Sequence, residues 1–396
     1  MSALRELPPD QEVKPSHWSR FRLVPLLVLF LGAAVALVGG YVWQAAHPYG
    51  VAIPEPTAAP GEPLPDACTP EFHRDGAADP WGTDPAAAEA VFQQHAAELD
   101  GYFVEGRDGH LLLGEPHSQN ISQALGRFQA TDDHVAAWNA YLSNTRAALE
   151  ADGRELLVVV APAKWETVPE ALPAWTEGLL GPTVLDGLLA AHPELPIVDV
   201  RAAMEAADDE HALYSPLNSH WTDYGAWVAF DALAGCMREV SPAFADVEAP
   251  AITDVTLEPD HSEYGAAGWT GEPGRDWTVP TYGEPASAME ASLADGSTQQ
   301  LDTTAQLDML QLPATTRTAD ASTDHTALVL RDSTGNGLGP SLHATFAETM
   351  QVVHSLDRPD LMPDAPALAA EIDADVVLLV LTERYLALVP GVGPVP

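Results

Sequence analysis

Apolar positions along the chain follow two spacings, and the alternation between them predicts an α/β fold. A continuous apolar run is typical of a strand buried on both faces and predicts a strand at 155–161. Shorter segments with apolar residues predict further strands at 197–200, 326–330, 351–355 and 375–381. Apolar residues at helical spacing predict helices at 84–99, 132–152, 227–237 and about 340–350. Strands that alternate with helices favour a mainly parallel sheet covered by helices on both faces, an α/β/α sandwich.

The N-terminal region departs from this pattern. Residues 23–43 are apolar and uncharged, and at about 1.5 Å per residue they can cross a hydrocarbon core of about 30 Å. Basic residues precede this segment, whereas residues 47–68 contain neither lysine nor arginine. The positive-inside rule therefore predicts one transmembrane helix, with residues 1–22 in the cytoplasm and the bulk of the chain outside. A cleaved signal peptide is the alternative interpretation of the same segment.

The region beyond the predicted anchor divides by composition. Residues 44–83 include a stretch rich in proline, alanine and glycine, which predicts an extracellular linker. Residues 84–396 then form the folded domain. Between about 249 and 324 the apolar pattern weakens, and glycine, proline, threonine and aspartate dominate. This composition predicts an irregular insertion with short strands that could lie over the active site.

The balance of charge narrows the possible functions. The chain has 58 acidic and 17 basic residues, a net charge of −41. Such a surface repels nucleic-acid phosphates, which argues against nucleic-acid binding. The two cysteines, Cys68 and Cys236, permit one disulfide outside the cytoplasm, and two unpaired cysteines are the alternative. No motif indicates a metal ion or an organic cofactor.

One candidate for catalysis is a serine at the end of a predicted strand. Ser333 follows the strand at 326–330 and precedes Gly335-Asn336-Gly337. Ligands of α/β proteins bind at the carboxyl ends of strands, and backbone N–H groups of such a turn can stabilise an oxyanion. The simpler alternative is a capped turn, because Asp-Ser-Thr-Gly is common turn chemistry.

A second candidate is a histidine with a polar residue close before it. His220 follows Asn218 by two positions and precedes a predicted helix whose N-cap is Thr222 or Asp223. A serine, a histidine and a group that orients the histidine are the parts of a nucleophilic hydrolase or acyltransferase. The simpler alternative is a histidine packed at a helix start beside Trp221.

These segments resemble a known family. Asn218-Ser219-His220-Trp221 is similar to an Asp-x-His-Trp motif, and Arg331-Asp332-Ser333-Thr334 to a later Gly/Arg-Asp-Ser-Phe motif. Three further segments agree in order, at 106–111, 164–173 and 375–386. Together they resemble the SGNH-hydrolase-like domain of the alginate O-acetyltransferase AlgX/AlgJ family, also called the DHHW family.

The resemblance implies an SGNH-hydrolase-like fold and roles for individual residues. It implies that Ser333 is the nucleophile that accepts the acyl group, that His220 is the base and that Asn218 orients the base. The N–H of Ser333 would be an oxyanion donor. Possible supporting residues are Asp332, Lys164, Trp221 and Asp223.

One departure from the family bears on activity. Asn218 stands where the family has aspartate, and a neutral amide cannot offset the charge of an imidazolium. In a serine protease the equivalent Asp→Asn change costs about 10⁴ in turnover. Three alternatives follow: the enzyme is slow, a nearby acid such as Asp223 or Asp199 supplies the missing charge, or the domain has become a binder.

Two hypotheses of function follow. The first is a membrane-anchored extracellular O-acetyltransferase or acetylesterase that modifies a polysaccharide, with a membrane-bound O-acyltransferase as its partner. The second is a glycan-binding or assembly subunit of an acetylation complex that has lost catalysis. Asn218 favours the second, whereas the retained His220–Trp221 and Asp332–Ser333 pairs favour the first.

Overall fold

The computed structural model describes residues 24, 28–30, 56–57, 59–74, 78–208, 211–259, 263–272, 274–390 and 393–394. The chain divides into two compact units, Met1–Ala52 and Ile53–Pro396. The predicted cytoplasmic segment 1–22 and anchor 23–43 lie outside the described residues, apart from positions 24 and 28–30. Among the positions that are described, no helix has both the length and the apolar character needed to cross a membrane.

A mixed eight-stranded sheet forms the centre of the second unit. The strands of this unit are β1 (Phe103–Glu105), β2 (Leu111–Leu113), β3 (Glu155–Ala161), β4 (Ile197–Val198), β5 (Ile252–Glu258), β6 (Trp277–Tyr282), β7 (Ala288–Ser292), β8 (Thr298–Asp302), β9 (Ala314–Thr318), β10 (Thr326–Arg331), β11 (Glu348–Val353), β12 (Val376–Thr382), β13 (Leu388–Val389) and β14 (Gly393–Pro394). The order in the sheet is β4-β3-β12-β10-β11-β9-β7-β8. The first five of these strands run parallel, and the last three join antiparallel.

The antiparallel strands correct the prediction of a mainly parallel sheet. The parallel half contains the five predicted strands, whereas β7, β8 and β9 come from the segment 249–324, which was predicted to be an irregular insertion with short strands. Residues of β7 alternate between exposed and buried, as expected for an antiparallel strand with one face toward water. The polar sequence of β8, Thr298–Asp302, hides its strand character.

Helices cover both faces of the parallel strands. The helices that the structure describes in this unit are α1 (Pro80–Thr83), α2 (Pro85–His95), α3 (Asn120–Ala124), α4 (Asp132–Glu150), α5 (Lys164–Thr167), α6 (Val184–Ala191), α7 (Arg201–Asp208), α8 (Asp223–Val240), α9 (Gly339–Thr345) and α10 (Ala365–Glu371). Leu157 and Val159 of β3 pack into one core with α8. Val158 and Val160 pack into a second core with α4 and α6. This alternation, expected of a strand, produces three layers, α/β/α.

Helix ends follow local capping, with one correction. The side chain of Thr222 accepts the N–H of Gly225 and begins α8, as predicted. The helix predicted at about 340–350 ends at Thr345. The chain is extended again from Glu348 because it pairs in parallel with β10. The residues that follow include the β-branched Thr349, Val352 and Val353, which favour a strand.

A disulfide joins the start of the second unit to α8. Cys68 and Cys236 are bonded across 168 residues of sequence, and this resolves the alternatives left open by the sequence. Leu64 and Cys68 are buried in the core that contains α8. Part of the predicted linker, residues 44–83, therefore packs on the domain. A disulfide typically stabilises a fold by about 2–4 kcal/mol.

Three chain segments leave the sheet at one edge. Parallel strands β3, β10 and β12 are neighbours, so their carboxyl ends lie at the same edge of the sheet. Lys164 follows β3, Ser333 follows β10 and Arg384 follows β12. The side chains named by the sequence motifs therefore meet where an α/β sheet binds its ligands.

Candidate active site

Ser333 lies on a tight turn at the carboxyl end of β10. The carboxylate of Asp332 accepts the N–H of Thr334 at 2.8 Å and caps a 3₁₀ helix, Ser333–Leu338. The N–H of Gly335 also binds Asp332, at its carbonyl, so the candidate oxyanion donor of this turn is the N–H of Ser333 itself. The Ser333 side chain is partly exposed. A hydroxyl and a candidate oxyanion donor are thus adjacent.

Asp332 holds this turn in place. It is buried, and it accepts the N–H of Thr382 at 2.9 Å and the hydroxyl of Thr382 at 2.7 Å. His354 Nε2 lies 3.8 Å from the same carboxylate. Burial alone would raise the pKa of Asp332, but these donors together with Arg384 hold it well below its usual range. The supporting role of Asp332 is therefore to tie the end of β10 to the end of β12.

Trp221 connects the histidine segment to the serine turn. Its indole Nε1–H donates to the carbonyl of Thr334 at 2.9 Å, and its ring is buried. Gly337 allows this close approach, because a Cβ at that position would lie 2.8 Å from Ala226 Cβ and 3.3 Å from Trp221 Nε1. The segment that carries His220 and the turn that carries Ser333 therefore pack so closely that a side chain at position 337 would not fit.

The structure brings the three predicted catalytic residues together. His220 Nε2 lies 2.8 Å from Ser333 Oγ, although 113 residues separate the two in sequence. On the other side of the ring, Nδ1 lies 2.9 Å from Asn218 Oδ1. The same oxygen accepts the backbone N–H of His220 at 3.0 Å, and this bond holds the amide with its oxygen toward the ring. An Nδ1–H tautomer then leaves Nε2 to accept the serine proton.

A carboxylate that the sequence did not indicate also contacts the imidazole. Glu263 Oε2 lies 3.1 Å from His220 Nδ1, and Glu263 Oε1 accepts the N–H of Ser219 at 2.9 Å. Partial burial by itself would raise the pKa of Glu263, but the contacts with His220 and Ser219 lower it. Glu263 comes from the segment between β5 and β6, so the predicted insertion does reach the site. No motif marks it in the sequence.

Two acids that the sequence offered as partners of His220 make other contacts. Asp223, the first residue of α8, accepts the side-chain amide of Gln306 at 2.8 Å. Asp199 is buried and binds the guanidinium of Arg201 at 2.8 Å. The expectation that either of them replaces the missing aspartate is therefore corrected in favour of Glu263.

Lys164 supports the histidine segment through backbone carbonyls. Its buried ammonium donates to the carbonyls of Leu111 at 2.9 Å, Pro216 at 2.7 Å and Asn218 at 3.2 Å. The sequence indicated Lys164 as a possible supporting residue without assigning its contacts. The structure shows one ammonium joining β2 to the chain just before His220. Because three of its contacts are to carbonyls, Lys164 holds the position of that segment.

A small pocket opens beside the serine and the histidine. Apolar side chains of Leu112, Leu113 and Trp165 line it together with His220 and Arg384. The guanidinium of Arg384 lies 5.0 Å from the centre of the Tyr385 ring. Within the part of the chain that the structure describes, the Nε of Arg384 is buried and has no hydrogen-bond acceptor. The pocket is therefore apolar on one side and positively charged on another.

Glu383, which precedes the pocket residue Arg384 in sequence, is fully buried. Glu383 accepts the N–H of Ala163 at 3.1 Å, which connects the ends of β12 and β3. Burial, reinforced by the negative charge of Glu166, raises the pKa of Glu383 to about 8. Because the folded-state pKa exceeds the unfolded one, this group's stabilising contribution is fully present below about pH 4.3 and is lost as pH rises through about 8.

We therefore expect Glu383→Gln to stabilise the domain increasingly as the pH rises. The glutamine keeps an acceptor for the Ala163 N–H and removes the titration. Urea unfolding from about pH 5 to about pH 9 should show the variant gaining free energy of unfolding relative to the wild type. Glu371→Gln, at an exposed position of α10, should follow the wild type. A difference between Glu383→Gln and the wild type that does not change with pH would contradict the raised pKa.

The fold and this arrangement define the class of protein. A serine at the end of a central parallel strand, with a histidine held against it inside an α/β/α domain, is an SGNH-like α/β domain with a mixed sheet. Residues 104–277 match the family model "SGNH hydrolase-like domain, acetyltransferase AlgX". Over these residues the chain is therefore similar to the AlgX/AlgJ family, as its motifs predicted. The matched region contains Asn218, His220 and Glu263.

Solved structures with similar folds are distant in sequence. A DHHW family protein from Eubacterium siraeum is 16% identical, with a TM-score of 0.49 over 70% of this chain and 89% of its own. PatB1 from Bacillus cereus is 16% identical, with a TM-score of 0.47 over 72% and 96%. The O-acetyltransferase domain of Pseudomonas putida AlgJ is 18% identical, with a TM-score of 0.43 over 74% and 93%. No curated protein matches the chain.

Proposed function

We propose that this domain is a serine-dependent O-acetyltransferase that acts on a polysaccharide. The observation that carries the proposal is the 2.8 Å contact between Ser333 Oγ and His220 Nε2. The opposite ring nitrogen lies within 3.1 Å of two acceptors, Asn218 and Glu263. This is the geometry that nucleophilic acyl transfer requires. The acetyl group and the polysaccharide acceptor are inferred from the family that the chain resembles.

In the first half-reaction, His220 Nε2 takes the proton of Ser333 as Oγ attacks the carbonyl carbon of an acetyl ester. The backbone N–H of Ser333, at the start of the 3₁₀ turn, stabilises the oxyanion. The tetrahedral intermediate then loses the donor alcohol, which takes the proton back from the imidazolium. The product is an acetyl ester on Ser333.

In the second half-reaction, a sugar hydroxyl replaces the donor alcohol. His220 Nε2 takes the proton of that hydroxyl as its oxygen attacks the acetyl-serine. Collapse of the intermediate releases the O-acetyl sugar and returns the proton to Ser333 Oγ. Water in place of the sugar would release acetate, so access of acceptor or water determines whether the domain transfers or hydrolyses.

The proposal also assigns a place to the reaction. We propose that residues 23–43 anchor the chain in the cell membrane and that the domain works outside the cytoplasm, supplied with acetyl groups by a membrane-bound O-acyltransferase. The apolar segment and the basic residues before it support this arrangement. A reporter enzyme that works only outside the cytoplasm should be active when it is fused after Pro70. Activity of a cytoplasm-specific reporter at that position would contradict it.

The proposed reaction can be tested on the full-length protein with a chromogenic aryl acetate and a set of polysaccharide-derived oligosaccharides. Acetate release measures hydrolysis, and acetylated sugar measures transfer. We expect turnover of the aryl acetate and, with an acceptor that fits, a shift of product from acetate to acetylated sugar. Oligosaccharide binding without any acetyl turnover would favour the alternative, a glycan-binding subunit that has lost catalysis.

A further inference from the structure

The carboxylate of Glu263 contacts both the imidazole and the backbone beside it. One oxygen lies 3.1 Å from His220 Nδ1, and the other accepts the N–H of Ser219 at 2.9 Å. A carboxylate that binds a ring and the preceding amide together has a defined orientation. Glu263 therefore restrains both the position of the histidine segment and the direction of the ring.

Asn218 also orients the imidazole of His220, but it carries no charge. Its Oδ1 accepts both the backbone N–H and the Nδ1–H of His220, at 3.0 and 2.9 Å. A neutral amide selects the tautomer in this way, but it cannot balance a positive charge. Acyl transfer forms an imidazolium in each half-reaction, and a carboxylate near Nδ1 stabilises that state. Within the described residues, the carboxylate in ion-pair contact with the ring is that of Glu263.

The neighbour of Glu263 holds this acid in place. Tyr264 is fully buried with Leu111, Leu113 and Leu217, and its hydroxyl donates to the carbonyl of Leu111 at 3.3 Å. Its ring packs edge-on against Phe103 at 5.5 Å. Glu263 itself is 19% exposed at the side chain, so solvent screens its charge only in part. The acid is thus fixed to the scaffold of β1 and β2.

We propose that Glu263 is the charged positioning residue of this site. The negative charge beside the imidazole comes from position 263 instead of position 218. Asn218 still selects the Nδ1–H tautomer of His220. The proposal rests on the proposed acyl transfer by Ser333 and His220. It explains how a chain with asparagine at position 218 retains a charge-supported base.

Exchanging the charge between the two positions tests the proposal. Glu263→Gln should lower kcat/KM for the aryl acetate by about 10- to 100-fold, because the imidazolium loses its counter-charge. The double variant Glu263→Gln/Asn218→Asp should recover most of the lost activity.

Rescue by the double variant distinguishes a charge role from a structural one. A residue that only held the loop would not be replaced by a carboxylate on a different segment. The acid limb of the kcat/KM profile should move to lower pH in Glu263→Gln and return in the double variant. Glu258→Gln, an exposed glutamate of β5 in the same insertion, should leave rate and profile unchanged. Wild-type kcat/KM in Glu263→Gln, or a double variant no better than Glu263→Gln, would overturn the proposal.

A second readout separates this proposal from the proposed function. The imidazole signals of His220 can be followed by NMR in the full-length protein, whether or not the protein turns over an acetyl ester. The Nδ1–H resonance of His220 should move upfield in Glu263→Gln, because a charge-assisted hydrogen bond is lost, and should return in the double variant. An unchanged resonance would overturn the charge role, whereas absence of turnover with the expected change would overturn only the proposed function.

Discussion

Replacement of Ser333 by alanine should lower acetyl turnover by about 10⁴-fold or more. The Ser333 hydroxyl is the atom to which His220 Nε2 is directed at 2.8 Å, and no acyl-enzyme can form without it. Steady-state hydrolysis of an aryl acetate by the full-length protein measures the loss. Because Ser333 is partly exposed, the free energy of unfolding should change by no more than about 0.5 kcal/mol.

A matched serine controls for nonspecific effects of the substitution. Ser322 is exposed and precedes β10, whereas Ser333 follows the same strand. Ser322→Ala should keep wild-type turnover. If Ser333→Ala retained wild-type turnover while folded, Ser333 would not be the nucleophile and the proposed mechanism would be wrong.

Replacement of Asp332 by alanine should destabilise the domain by about 3–5 kcal/mol, the cost of breaking a buried ionic network. The carboxylate accepts donors from Thr334 and Thr382 and faces His354. Its removal leaves buried donors unpaired at the junction of β10 and β12. Urea unfolding near pH 7 measures the change. The comparison requires that the free energy of unfolding depends on urea concentration with the same slope in wild type and variant.

The pH dependence of this effect has a defined sign. The pKa of Asp332 is lowered in the folded state, so the stabilisation is present above the pKa of an unfolded aspartate and is lost as pH falls toward the folded value. The gap between wild type and Asp332→Ala should therefore narrow below about pH 4. Asp231→Ala, at an exposed position of α8, should change stability by about 0.5 kcal/mol or less. An equally small effect at Asp332 would contradict its assigned role.

The sequence predicted the parallel half of the sheet because most of its strands are apolar. The run Leu156–Val160 is typical of a strand buried on both faces, and it proved to be one. In the antiparallel half the sequence predicted short strands, but neither their positions nor their pairing. In β8 the residues are mostly exposed and polar, so their strand character comes from pairing with β7 and not from a pattern of their own.

The site shows the same division between local and long-range information. Ser333 and His220 were indicated by their positions beside a strand and a helix, and the resemblance of both segments to the AlgX/AlgJ family assigned their roles. Glu263 was missed because its contact with the segment of His220 spans 44 residues and lies in a stretch without periodicity. Lys164 was identified, but its three carbonyl acceptors are fixed by how β2 meets the histidine segment. No local pattern in the sequence indicates the contact between β2 and the histidine segment that places these carbonyls.

Trapping the acyl-enzyme tests the central claim most directly. The full-length protein, mixed with an aryl acetate and quenched rapidly in acid, can be digested and mapped by mass spectrometry. The account predicts a mass gain of one acetyl group on the peptide that contains Ser333, lost on incubation with an acceptor and absent from Ser333→Ala. Acetylation at another residue, or turnover of the ester with no acetyl group on Ser333 at any quench time, would contradict it.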